Sequence, residues 1–163
     1  MFENFKSISP KAVARWFVNH TDRDSGEVMT QLKLQKLVYY AEAWFLANFD
    51  RPLLSEDFEA WAHGPAVKSL YAKYRGHGWE PIPPQPGKSV PKELEPFLQA
   101  VYDEYGQYSA KKLERMTHEE TPWLEARGAL PPEAASRTVI PKVKIRNFYA
   151  ARIEKEAIEQ LQN

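Results

Sequence analysis

The chain contains no cysteine. Disulfides, thiolate metal sites and a cysteine nucleophile are therefore excluded. Neither charge is in excess, with 22 Lys and Arg against 22 Asp and Glu. That balance argues against non-specific nucleic-acid binding, which needs a basic surface. Long apolar runs are also missing. None approaches the roughly 18 residues of a membrane span, and the opening MFENFKSIS lacks the apolar segment of a signal peptide. These absences predict a cytoplasmic protein that does not enter a membrane. The seven glycines lie scattered and form no phosphate-cradling loop. The four histidines, His20, His63, His77 and His118, make no pair at metal-ligand spacing. His118-Glu119 matches the first half of a zinc-protease HExxH motif, but Pro122 takes the second histidine's place and would break the helix. Neither a metal nor a cofactor is expected.

What the chain has in plenty is aromatic surface: 5 Trp, 8 Tyr and 8 Phe among 163 residues. That length suits one domain with a real core. The pattern is helical. Residues 30–49 read as a central helix, with Thr30 as N-cap and Leu34, Leu37, Val38, Ala41, Trp44 and Phe45 at spacings of three and four. From Leu37 onward only Glu42 and Asn48 are plainly polar, so this helix should be covered on several sides. It should stop before Asp50-Arg51-Pro52.

Ser9-Pro10 opens a first helix ending near His20. Residues 58–61 alternate as a short strand. Pro65 is placed at the start of a third helix that Gly76 ends. Residues 79–91 hold five prolines and form a stiff connector, with a short strand near Ile82 paired to residues 58–61. Further helices are predicted at 91–105, regular only from about Glu95, then from Ser109, at 121–128, and at 141–161 with a fraying end. The expected fold is mainly α: a compact single-domain bundle of about six helices with at most a short two-stranded β ribbon.

The same residues give little chemistry. His63 follows a strand-like run, where catalytic histidines do occur, but no nucleophile pairs with it. His118 is expected to cap a helix end as a cation facing the negative pole of the dipole. The basic faces Lys111, Lys112, Arg115 and Lys142, Lys144, Arg146 read as solvated surfaces. An aromatic-rich chain without a catalytic constellation points to a binding protein rather than an enzyme, since Trp, Tyr and Arg are favoured interface anchors.

Four stretches occur in an order that resembles one family. They are MTQLKLQKLVYYAEAW at 29–44, the block from Arg51-Pro52 through Phe58-Glu59-Ala60-Trp61 to Gly64-Pro65-Ala66-Val67, Leu70-Tyr71-Ala72-Lys73-Tyr74, and LERMTHEETPW at 113–123. Together they are similar to the Panacea domain, the SocA-like family of bacterial and phage antitoxins. His63 and Ala66 depart from the common pattern, where an aromatic and a bulkier residue are usual.

The resemblance implies one antitoxin domain over 1–163, with its strongest match at 29–128 and flanking helices at 1–28 and 141–163 packed upon it. It implies a protein that neutralises a cognate protein toxin by direct binding. One branch of the family serves as an adaptor that hands its toxin to the ClpXP protease, which makes that protease a second implied partner. A homodimer is compatible with all of this, and an enzyme using His63 or His118 stays as a further alternative. Leu34, Lys36, Tyr39, Tyr40, Trp44, Trp61, Gly64, Pro65, His118, Pro122 and Trp123 are implied to be shared framework, with Gly64 needed for positive φ. Partner contacts are expected outside the framework, at Phe2, Phe5, Arg15, Trp16, Trp79, Tyr149 and Arg152.

Overall fold

A computed structural model describes residues 1–162. The order of elements is α1 (Pro10–Asn19), α2 (Gln31–Phe49), β1 (Phe58–Trp61), β2 (Gly64–Ala66), α3 (Lys68–Tyr74), α4 (Glu95–Tyr105), α5 (Ala110–His118), α6 (Thr121–Arg127), β3 (Val139–Ile140) and α7 (Lys142–Gln162). The fold is mainly α, as expected, but the ribbon is a three-stranded antiparallel sheet in the order β2-β1-β3.

Everything is built round α2. Thr30 caps it, its hydroxyl accepting from Lys33 N at 3.4 Å. Asp50 ends it in the left-handed region at φ 54°. α1, α3, α4, α5, α7 and β2 all pack against it, which is why it is buried nearly all round. The core is largely aromatic. Tyr40 stacks on Tyr105 with centroids 4.0 Å apart, and Phe2 and Phe5 pack on Phe45 at 5.2 and 5.0 Å. The N-terminal strand-like residues are tied down by Ile8, whose N–H donates to Leu53 O and whose carbonyl accepts from Ser55 N, both at 2.8 Å.

Two local expectations are corrected. Ile82 does not pair with β1. Its N–H donates to Met29 O at 2.8 Å, and the second neighbour of β1 is β3, with Phe58 opposite Ile140 and Glu59 opposite Val139. A two-residue strand leaves no periodic signal to read. Pro65 does not open α3 either. It lies in β2 opposite Ala60, and α3 begins at Lys68. The cause is a side chain on α2. The Gln35 amide accepts from Val67 N at 2.9 Å and donates to Val67 O at 3.0 Å, holding Val67 extended at φ −94°, ψ 123°.

The proline-rich connector runs along α1 and is strapped to it. Asn19 exchanges two hydrogen bonds with the Gln85 backbone, at 2.7 and 2.8 Å, and Arg15 donates to Lys88 O at 2.7 Å.

Candidate functional site

Three buried polar residues of α2 each fasten a returning segment of chain. Glu42 is buried and accepts from Leu53 N at 3.2 Å and Leu54 N at 2.8 Å, with Lys142 3.5 Å away. Burial pushes its carboxyl up to about 6, against the pull of Lys142 and the two backbone donors. Gln35 holds Val67 as described. Lys36 is fully enclosed and donates to Pro65 O at 3.0 Å. Desolvation pulls its ammonium down to about 7, with Glu114 acting in the opposite sense.

Around Lys36 the β1–β2 hairpin is clamped between α2 and the α5–α6 pair. Gly64 sits at the turn with φ +104°. A Cβ there would lie 2.7 Å from Lys36 Cε and 2.8 Å from Thr117 Oγ1, so glycine is required both for its backbone angle and for space. From α6, Trp123 Nε1 donates to Trp61 O at 2.8 Å, and buried Arg127 donates to Ala60 O at 3.0 Å and Pro131 O at 2.8 Å. Trp123 is sandwiched, with His118 stacked on it at 4.1 Å and the Arg127 guanidinium 4.7 Å from its centroid.

A second polar knot joins α2, α6 and α7. Glu120 is buried and accepts from Tyr40 at 3.2 Å and, through a short bond, from Tyr149, while Arg152 stands 3.8 Å away. Burial raises its carboxyl above the ordinary value although both tyrosines and Arg152 oppose this.

The framework residues expected from the motifs therefore meet in space. Trp61, Gly64, Pro65, His118, Pro122 and Trp123 gather at the hairpin clamp with Lys36. Leu34, Tyr39, Tyr40 and Trp44 line the α2 core. Gln35, Glu120 and Arg127 belong to the same fastenings and were not foreseen. Nothing local marks them: Gln35 sits between Leu34 and Lys36, and Glu120 and Arg127 lie at the two ends of α6.

His118 is corrected. It is not a cationic cap, because burial lowers its pKa and the ring lies flat on Trp123. His63 is exposed, with Nδ1 3.2 Å from Glu114 Oε1. The Thr117 hydroxyl, next to His118 in the chain, donates to Glu114 O at 2.8 Å. Among the described residues no cluster of His, Asp and Glu is arranged to hold a metal ion.

Three residues expected at a partner surface are also corrected. Phe2, Trp16 and Tyr149 are core side chains with 5%, 4% and 0% exposure, because each completes an aromatic cluster around α1 or α2. Phe5 is half-buried against the same core. Arg15 straps the connector, and Arg152 lies over Phe148 beside Glu120. Trp79, by contrast, is 74% exposed.

Trp79 stands on the rim of a pocket of about 260 Å³ beside the hairpin clamp, which Gln31, Lys36, Trp61, His63 and Tyr71 also line. A wider groove of about 890 Å³ lies between α2, α4 and the distal part of α7, with Trp44, Phe49, Phe97 and Arg152 in its walls. Both are concave, partly aromatic surfaces on a helical scaffold.

The comparisons place this scaffold. The family described as antitoxin SocA-like, Panacea domain, matches residues 34–124, the stretch from the start of the α2 core to the middle of α6. The chain belongs to the SocA-like antitoxin family. It is 40% identical over 50 residues to antitoxin SocA of Caulobacter vibrioides, a stretch that covers 31% of this chain and 27% of that protein. The similarity thus spans about a quarter of that relative's length. No solved structure matches. Among the described residues no helix is long and apolar enough to cross a membrane.

Proposed function

We propose that this protein is an antitoxin that neutralises a cognate protein toxin by binding it stoichiometrically, without chemistry of its own. The family match over 34–124 carries this reading. The use of the motif residues supports it. Gly64, His118 and Trp123 are spent on holding one hairpin between helices and Lys36 gives it one N–H bond, which suits a scaffold. The whole chain acts as one unit, with α1 and α7 both packed on α2. Recognition falls to surfaces that the fold leaves open, chiefly the rim around Trp79 and the groove beside Arg152.

The test is genetic and then physical. The open reading frame adjacent to this gene is expressed alone and together with this chain. Growth arrest by the neighbour, relief on co-expression and co-purification as a stable complex are the expected results. A neighbour whose toxicity persists under equal expression, or which fails to bind at micromolar concentration, overturns the proposal.

A further inference from the structure

The pocket beside the hairpin clamp combines two features that ask for different halves of one ligand. Its rim is aromatic: Trp61 and Tyr71 meet edge to face at 5.2 Å, and Trp79 projects into solvent next to them. Its wall includes Lys36, a buried cation. Of the three N–H bonds on Lys36, one is taken, by Pro65 O. Among the described residues no carboxylate forms an ion pair with it. A buried ammonium satisfied by one neutral carbonyl is costly, and a carboxylate brought alongside relieves that cost with a charge-assisted bond.

A volume of about 260 Å³ exceeds what the short stem of an internal aspartate or glutamate fills. The last residue of a polypeptide carries an apolar side chain and a carboxylate on the same carbon, and so supplies both halves at once. We propose that this pocket receives the C-terminal residue of the partner polypeptide, its apolar side chain between Trp61, Tyr71 and Trp79 and its carboxylate on Lys36 Nζ. The proposal rests on the antitoxin reading for the identity of the partner as a protein. Burial that pulls the Lys36 ammonium down is the same physical demand for an anion. Gln31 and Gln35 each give one amide N–H to Gly78 O and Val67 O, which fixes both side chains beside Lys36.

N-acetyl-phenylalanine and its C-terminal amide serve as probes, followed by the indole N–H resonances of Trp61 and Trp79 in the intact protein. The acid is expected to bind at least about tenfold more tightly than the amide, which corresponds to about 1.4 kcal/mol. Lys36→Met is expected to erase that preference, and Trp79→Ala to weaken both probes while leaving the fold unchanged. Equal binding of acid and amide by the wild-type protein overturns the proposal whether or not Lys36→Met folds. The toxin is then tested with its last two residues removed. Undiminished binding of the trimmed toxin also overturns the proposal. Because neutralisation by the intact pair is scored separately, the pocket assignment can fail while the antitoxin reading stands.

Discussion

Gly64 and Lys36 are a matched pair, and each limits what the other position accepts. An alanine at 64 would need φ near +104° and would press its methyl against the lysine stem and the Thr117 hydroxyl. Gly64→Ala should cost about 2–4 kcal/mol, from backbone strain plus overpacking, read as a drop in thermal midpoint with helix content retained below it. Lys36 makes stability depend on pH. Its ordinary value is 10.5 and its folded value about 7. Between those values the unfolded chain holds a proton that the folded chain has released, so stability rises with pH. Urea unfolding should show a gain on the order of 1–3 kcal/mol from pH 7 to pH 9. Lys36→Met should flatten most of that slope. A slope of the opposite sign in the wild type would refute the lowering of the Lys36 pKa by burial. The sequence makes Gly64 legible, because glycine before proline after a strand-like run marks special backbone. It does not reveal Lys36 as buried, since lysine between Gln35 and Leu37 reads as surface until the hairpin is folded onto it.

At the scale of elements, caps are the most legible signals. Ser9, Thr30 and Ser109 each accept from a backbone N–H in the first turn of the helix that they were read to start, because capping is decided within a few residues. The β elements are less legible. β3 pairs with a strand some eighty positions earlier, and Val67, which ends the run after β2 and delays α3, is held extended by a glutamine on α2. Both are tertiary effects that local pattern does not encode. α7 divides into two parts. Ile145 and Tyr149 are buried, whereas residues 154–162 are exposed. Removing residues 154–162 should leave the thermal midpoint within about 1–2 °C, since exposed helical residues away from packing carry little stability. Tyr149→Phe should cost about 1–3 kcal/mol by depriving the buried Glu120 carboxylate of a donor. If the two effects are reversed in a melting experiment, the assignment of α7's anchor to its first half is wrong.

At the scale of the molecule, α2 touches most other elements, so their stabilities are linked. Calorimetry should give one transition whose calorimetric and van't Hoff enthalpies agree. Two separable transitions would show that the flanking helices fold apart from the motif region. Mainly α architecture and the shared motif blocks were both readable from the chain, because helical periodicity is strong in α2 and the blocks keep their order. Trp16 and Tyr149 fall on apolar stripes at helical spacing, which reads as core, but an aromatic on such a stripe can equally anchor a partner, and Phe2 precedes any helix that could place it.

The pairing of β1 with β3 and the Glu120–Tyr149 bond have a consequence for synthesis. A ribosome delivers Ile140 and Tyr149 after Phe58, Tyr40 and Glu120, so a nascent chain holds those three without their covers until both have emerged. An interrupted message therefore yields unfinished, protease-prone fragments and not a weaker version of the protein.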